Sequence, residues 1–176
     1  MKKIFILVLF VVCGLAASEL FKNLNGDASA NAATPTESET AKTTKNKYPE
    51  FANVFSTESS FKDAKDDLLA AIAAEGLVIS YTSHAKTMLE NTAEIAGVTT
   101  PVYDDAEILL FCKADLSHAL VGANPHNIVL CPYAIAIYVV HNEPEKVYLS
   151  FREPDARVPE AKAIKALLVS IIEEVI

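Results

Sequence analysis

Residues 109–133, LLFCKADLSHALVGANPHNIVLCPY, bring Cys112, His118, His126 and Cys131 into one short stretch. Thiolate and imidazole are soft-to-borderline ligands, so Cys112, His118 and Cys131 are candidates to hold copper, zinc or haem iron. His118 follows Asp115 by one helical turn, and a carboxylate at that spacing can orient an imidazole toward a metal. The same spacing also makes an ordinary helix-surface pair. His84 and Met88, four residues apart, share a helix face and form a second soft pair, although Met at such a position also serves as a core filler. The two cysteines carry two further readings. One is a disulfide that closes the intervening loop, worth ~3 kcal/mol. The other is a pair of reduced thiols buried as small apolar groups. The disulfide leads if the chain is exported, because export removes the reducing environment.

Organised catalytic patterns are absent. The chain has no CxxC or CxxCH, no G-x-S-x-G and no H-E-x-x-H, and its five glycines leave little room for a phosphate-cradling loop. A cysteine–His118 thiolate–imidazole pair can be drawn, but an oxidising compartment works against a standing thiolate. No catalytic residue is assigned. His126 and His141 read as loop residues.

These residues need a scaffold, and the apolar pattern supplies alternating helices and strands. Ser59 or Ser60 caps a helix through Ala74 whose Phe61, Ala64, Leu68, Leu69 and Ile72 form a stripe, with Gly76 ending it. Residues 77–82 are a strand, and Ser83 caps a second helix over 84–96 that Gly97 stops. Residues 106–112 make the second strand. Asp115 or Ser117 starts a short third helix that GANPHN ends. Residues 128–140 and 146–152 are two strands joined across HNEPE. Pro132 places the first at an edge or bulge, or makes it start effectively at Tyr133. Pro159 fits the first turn of a last helix with Ala161, Ile164, Leu168, Ile171 and Val175 on one face.

The order α-β-α-β-α-β-β-α predicts an α+β fold, a four-stranded mostly antiparallel sheet packed with helices. Antiparallel neighbours would set Cys112 and Cys131 opposite each other at strand ends. Strand 133–140 is apolar on both faces, so helices or a second subunit must cover each side, and a homodimer is expected.

The chain has 176 residues, enough for one domain. Lys2 and Lys3 precede the apolar run IFILVLFVV, which resembles a secretory signal and is short of the ~20 residues a span requires. Small-residue cleavage sites follow at Ala16–Ser18 and Ala30–Ala32, so residues 1–32 are expected to be a signal peptide. An uncleaved anchor is the rival and the only route to a membrane. Bulky Val11 and Val12 before Cys13 disfavour lipidation there. Residues 33–56, rich in Thr, Ser, Ala and Lys, read as a flexible tether, leaving 57–176 as a single α+β domain. Net charge is −8 with no basic cluster, which argues against nucleic acid, and only Arg152 and Arg157 are available to clamp phosphate.

The stretch ILLFCKADLSHALVGANPHNIVLCPYAIAIYVV, followed by VYLSFREP, resembles the domain of unknown function 302 family. SHAKTMLENT and FKDAKDDLLAAIAAEGLVIS are similar to it as well, and the likeness runs from about Ser56 to Asp155. Its most specific part is FCKAD with the later NP and CPY. Many members carry Gly-Asn-Pro where this chain has Cys112, Lys113 and Ala114, so it is similar to a cysteine-bearing, exported branch. The resemblance implies a small α+β domain and is compatible with dimers; it brings no reaction and no catalytic residue. The functional expectation is an exported, periplasmic or secreted, non-enzymatic binding domain of unknown ligand, using the face near the third helix and ANPHN. The alternative is a periplasmic redox or copper/haem-handling protein using Cys112, His118 and Cys131, with His84 and Met88 as further ligands.

Overall fold

The computed structural model describes residues Tyr48–Ile176, which lie within one compact unit. The signal peptide and most of the tether expected from the sequence lie outside the described residues. Five strands form one sheet: β1 (Ala52–Thr57), β2 (Ile79–Ser83), β3 (Tyr103–Phe111), β4 (Tyr133–Val140) and β5 (Val147–Arg152). Their order is β1-β5-β4-β3-β2, and every neighbouring pair is antiparallel.

The α+β class with an antiparallel sheet agrees with the sequence expectation, but the sheet has five strands where four were expected. The fifth, β1, starts inside the segment read as tether. Its sequence ANVFST offers only Val54 and Phe55 as large apolar residues, and neighbours in a strand point to opposite faces. No period-two signal results. The strand forms because the edge of β5 is available: Asn53 pairs with Phe151, Phe55 with Leu149 and Thr57 with Val147.

Among the described residues four α-helices accompany the sheet, α1 (Phe61–Ala74), α2 (Ala85–Thr92), α3 (Ala114–Ala123) and α4 (Ala161–Glu173). Ser60 caps α1 as expected, its Oγ accepting from the Asp63 N–H at 3.1 Å, and Gly76 leaves the helix at φ +71°. The second helix is shorter than the pattern suggests. Ser83 stays in β2, His84 stands at the N-cap without a side-chain cap bond, and the helix ends at Thr92. The ANPHN loop is itself ordered as a tight helical segment, Pro125–Leu130, whose entry is fixed by Asn124 accepting from the His126 N–H at 2.9 Å. Pro132 precedes β4, joined to Cys131 by a cis peptide bond, and the strand starts at Tyr133.

The core lies on one face of the sheet. Leu109, Phe111, Tyr133, Ile135, Ile137, Val147, Leu149 and Phe151 pack with Leu68 and Ile72 of α1 and with Ile164, Leu168, Ile171 and Ile172 of α4. The residues between them on the strands point the other way and contribute nothing to this cluster. Ser83, Ile108, Ala136, Ser150 and Val54 form one row in register across that second face. Tyr103, Tyr138 and Tyr148 make a ladder farther along it, with ring centroids 5.5 Å apart at each step. Among the described residues no helix is long and apolar enough to cross a membrane.

Candidate functional site

Two places carry polar or reactive groups beside well-ordered strands. The first is the corner where β3 leaves the sheet and β4 enters it. Phe111 pairs with Tyr133, so the next residue of β3 and the approach to β4 are neighbours, and Cys112 meets Cys131 there. Both thiols are free. Ser117, from the first turns of α3, sits over the pair: its Oγ lies 3.6 Å from Cys131 Sγ and 3.3 Å from the Tyr133 hydroxyl. Cys112 is exposed as a residue, yet partial desolvation of its thiol, with the hydrogen bond and charge of Cys131, pushes it up to about 11. Ser117 and the Tyr133 backbone N–H pull the other way because they donate to the thiolate. Burial also raises the Tyr133 phenol, again opposed by Ser117. At neutral pH the Cys112 thiol is therefore protonated.

The other expected ligands are placed elsewhere. His118 is exposed on α3, and Asp115 turns to its own helix start, accepting from the Leu116 N–H at 2.9 Å, with no bond to the imidazole among the described residues. His84 and Met88 are exposed at the start of α2, where His84 Nδ1 lies 3.5 Å from Glu107. Glu107 stands five residues before Cys112 on β3, about 16 Å along the strand. The structure thus unites Cys112 with Cys131 but not with His84 and Met88. Among the described residues no three His, Cys, Asp or Glu side chains gather as a metal-ligating group.

Sequence reasoning passed over Glu107, which falls on the core face opposite Ile137. Its carboxylate is largely buried and is held by Lys65 of α1 at 2.7 and 2.8 Å. The signal was present: an acid among the apolar residues 106–111 of the strand, and a lysine on the facing helix.

The second place is a groove of about 530 Å³ at the end of the sheet where β5 leaves and β4 begins. Its floor is the second face, with Ile108, Ala134, Ala136 and Ser150. One wall comes from Val129, Leu130 and Pro132, the run that follows ANPHN, and Val129 is 83% exposed. Phe51 and Arg152 stand on the opposite side, and the hollow reaches Ile164 and Leu168 of α4. Small floor residues leave the space, and the Pro125–Leu130 segment bounds it. The alternation of alanine with isoleucine along β4 was the sequence trace of this floor; Val129 and Phe51, isolated apolar residues outside the strands, gave none.

Among protein families, residues 53–175 match the one described as Domain of unknown function DUF302. No curated protein matches the chain. Among solved structures, the chain is similar to the crystal structure of an uncharacterized conserved protein DUF302 from Bacillus stearothermophilus, at 14% identity and a TM-score of 0.60. That likeness covers 73% of this chain and 100% of the other, and it concerns the fold. The family match takes in most of β1 and all of α4, which lie largely or wholly outside the Ser56–Asp155 stretch in which the sequence resemblance is legible. The chain belongs to the domain of unknown function DUF302 family.

Proposed function

We propose that this chain is an exported, non-enzymatic binding domain that takes a small ligand in the groove between the second sheet face and the Pro125–Leu130 segment. The observation that carries the reading is the groove itself. Its volume falls in the range of small-ligand sites, and its walls are mostly apolar. It also adjoins the ANPHN stretch, where the polar residues of the sequence converge. A neutral fluorescent probe, N-phenyl-1-naphthylamine, is expected to brighten with the wild-type chain and to stay dark with Ala136→Trp, which fills the floor. No brightening with the wild type, or equal brightening with the variant, removes the reading. Periplasmic or secreted location is supported by the basic and apolar start of the chain. Intact mass after expression in a Gram-negative host should show loss of the N-terminus up to a point between Ala17 and Ala32; a full-length cytosolic product speaks against export.

A second reading has its own observation, the neighbouring strand ends, Phe111 paired with Tyr133, beside which Cys112 and Cys131 lie. A redox or copper/haem-handling role would use that pair, whether bridged or bound to metal. Thiol counting on denatured protein purified without reductant, with metal analysis of the native sample, separates the cases. No free thiols and no metal make the corner a structural disulfide. Two free thiols with stoichiometric copper, zinc or haem iron make it the working site. The expected homodimer would use the same second face as the groove, and light scattering across the probe titration distinguishes the two occupants.

A further inference from the structure

We propose that the groove takes a single-chain amphiphile with an anionic head, the chain lying over Ala134 and Ala136 and the head held by Arg152. The inference rests on the groove being a binding site and adds the chemistry of its occupant. Charge at this end of the sheet decides the head. Glu153 is already engaged, with Lys165 Nζ 2.8 Å from both of its oxygens and Asn53 Nδ2 donating at 2.6 Å. Asp155 is held by Arg157 through contacts of 2.5–3.0 Å. These acids and bases neutralise one another.

Arg152 is left over. It ends β5, faces the same side as Ser150, and borders the groove. Among the described residues its guanidinium has no hydrogen-bond or ion-pair partner. A lone planar fork beside an apolar floor matches a carboxylate or a phosphate monoester, which can accept two parallel hydrogen bonds from it. The floor offers no further charge to pair with a second polar end. It offers small side chains flanked by Ile108 and Val129, a surface that favours an alkyl chain. One unmatched cation and one apolar trough call for one anion and one chain.

The test displaces N-phenyl-1-naphthylamine from the full chain with dodecanoate, dodecyl phosphate and dodecanol, each below its micelle concentration. At least one anion should displace the probe at about tenfold lower concentration than the alcohol. Whichever does so identifies the source of the head. Arg152→Gln should bring that anion to the level of dodecanol and leave dodecanol unchanged; the side chain is at the surface, so the variant keeps its fold. Arg152→Lys should restore part of the difference. If dodecanol matches both anions, or the anion keeps its advantage in Arg152→Gln, the head-group assignment falls while the groove remains a binding site. If the probe never binds the wild type, or light scattering shows a dimer that excludes every ligand, both fall.

Discussion

The two faces of the sheet are built from the same strands and reach different ends. On the core face, Ile135, Ile137 and Leu149 are sealed under α1 and α4. On the second face, the alternate residues Ala134, Ala136 and Ile108 belong to no helix-backed cluster and remain half-buried. Size separates them. The covered face carries branched and aromatic side chains that interlock with helices, whereas the second face is thinned to alanine and serine along β4 and β5, with tyrosines at one end and a groove at the other. A face that only had to meet water would carry charge. This one is apolar and shallow, the character the proposed ligand groove calls for.

The widest expected difference is between neighbours on adjacent strands. Ile137→Ala removes a fully buried side chain from the core and should cost about 4 kcal/mol in urea unfolding. Ile108→Ala, on the second face, should cost about 1 kcal/mol, because that side chain is only half-buried. An Ile108→Ala loss equal to that of Ile137→Ala, growing with protein concentration, would mean that a second copy covers the face and would break the comparison.

The same contrast explains how much was legible in the sequence. The core face wrote itself into periodicity: the α4 stripe Ala161, Ile164, Leu168, Ile171 and Val175 is buried throughout, and Ser60 and Gly76 bound α1 as their types dictate. Antiparallel pairing of Phe111 with Tyr133 sets the strand ends next to Cys112 and Cys131 side by side. Strand β1 was illegible because it depends on a partner edge rather than on its own pattern. The groove was illegible because it assembles Phe51, Val129 and Arg152 from three distant segments, and no local spacing records that meeting. His118 shows the converse: its spacing to Asp115 was right, but Asp115 bonds the helix backbone instead.

The thiol corner lies where the core face ends, and its prediction comes next in size. With Cys112 held near 11, the thiolate fraction at pH 8 should be roughly 100-fold below that of an unperturbed thiol. The thiolate is the charged form, so a raised value keeps the group protonated at neutral pH. Alkylation of Cys112 in the fully reduced protein by iodoacetamide, followed on its peptide by mass spectrometry, should therefore climb about tenfold per pH unit until pH nears 11. Cys131→Ala removes one hydrogen bond and one like charge, so Cys112 should become faster at pH 8. A rate that levels off by pH 8 in the parent chain would contradict this account of the corner.

Strand β1 repeats the comparison within one element. Phe55 pairs opposite Leu149 on the core face and stacks on Phe151 with centroids 6.2 Å apart, whereas Val54 shares the second face with Ser150. Phe55→Ala should cost about 2 kcal/mol, less than a full core deletion because the ring is partly exposed. Val54→Ala should cost about 0.5 kcal/mol. Equal losses, read from denaturant midpoints, would show that β1 is held by its backbone ladder alone.

The smallest effect separates the two helix starts that flank β2. At α1, Ser60 Oγ accepts from the Asp63 N–H and also donates to Asp63 Oδ2 at 2.7 Å, so the cap and the first-turn acid hold each other. That helix buries Ala64, Leu68, Ala71 and Ile72, and a frayed first turn would loosen the cover over the core face. Ser60→Ala should therefore cost about 1 kcal/mol. At α2, His84 occupies the equivalent position without a cap bond, and the helix buries no residue. Among the described residues the one polar contact of its side chain is the 3.5 Å approach to Glu107, which Lys65 already holds more closely. His84→Ala should leave the unfolding midpoint unchanged. If the histidine variant proved the more damaging of the two, the contact with Glu107 would have to be a structural tie between α2 and the core face rather than a loose neighbour of the Lys65 pair.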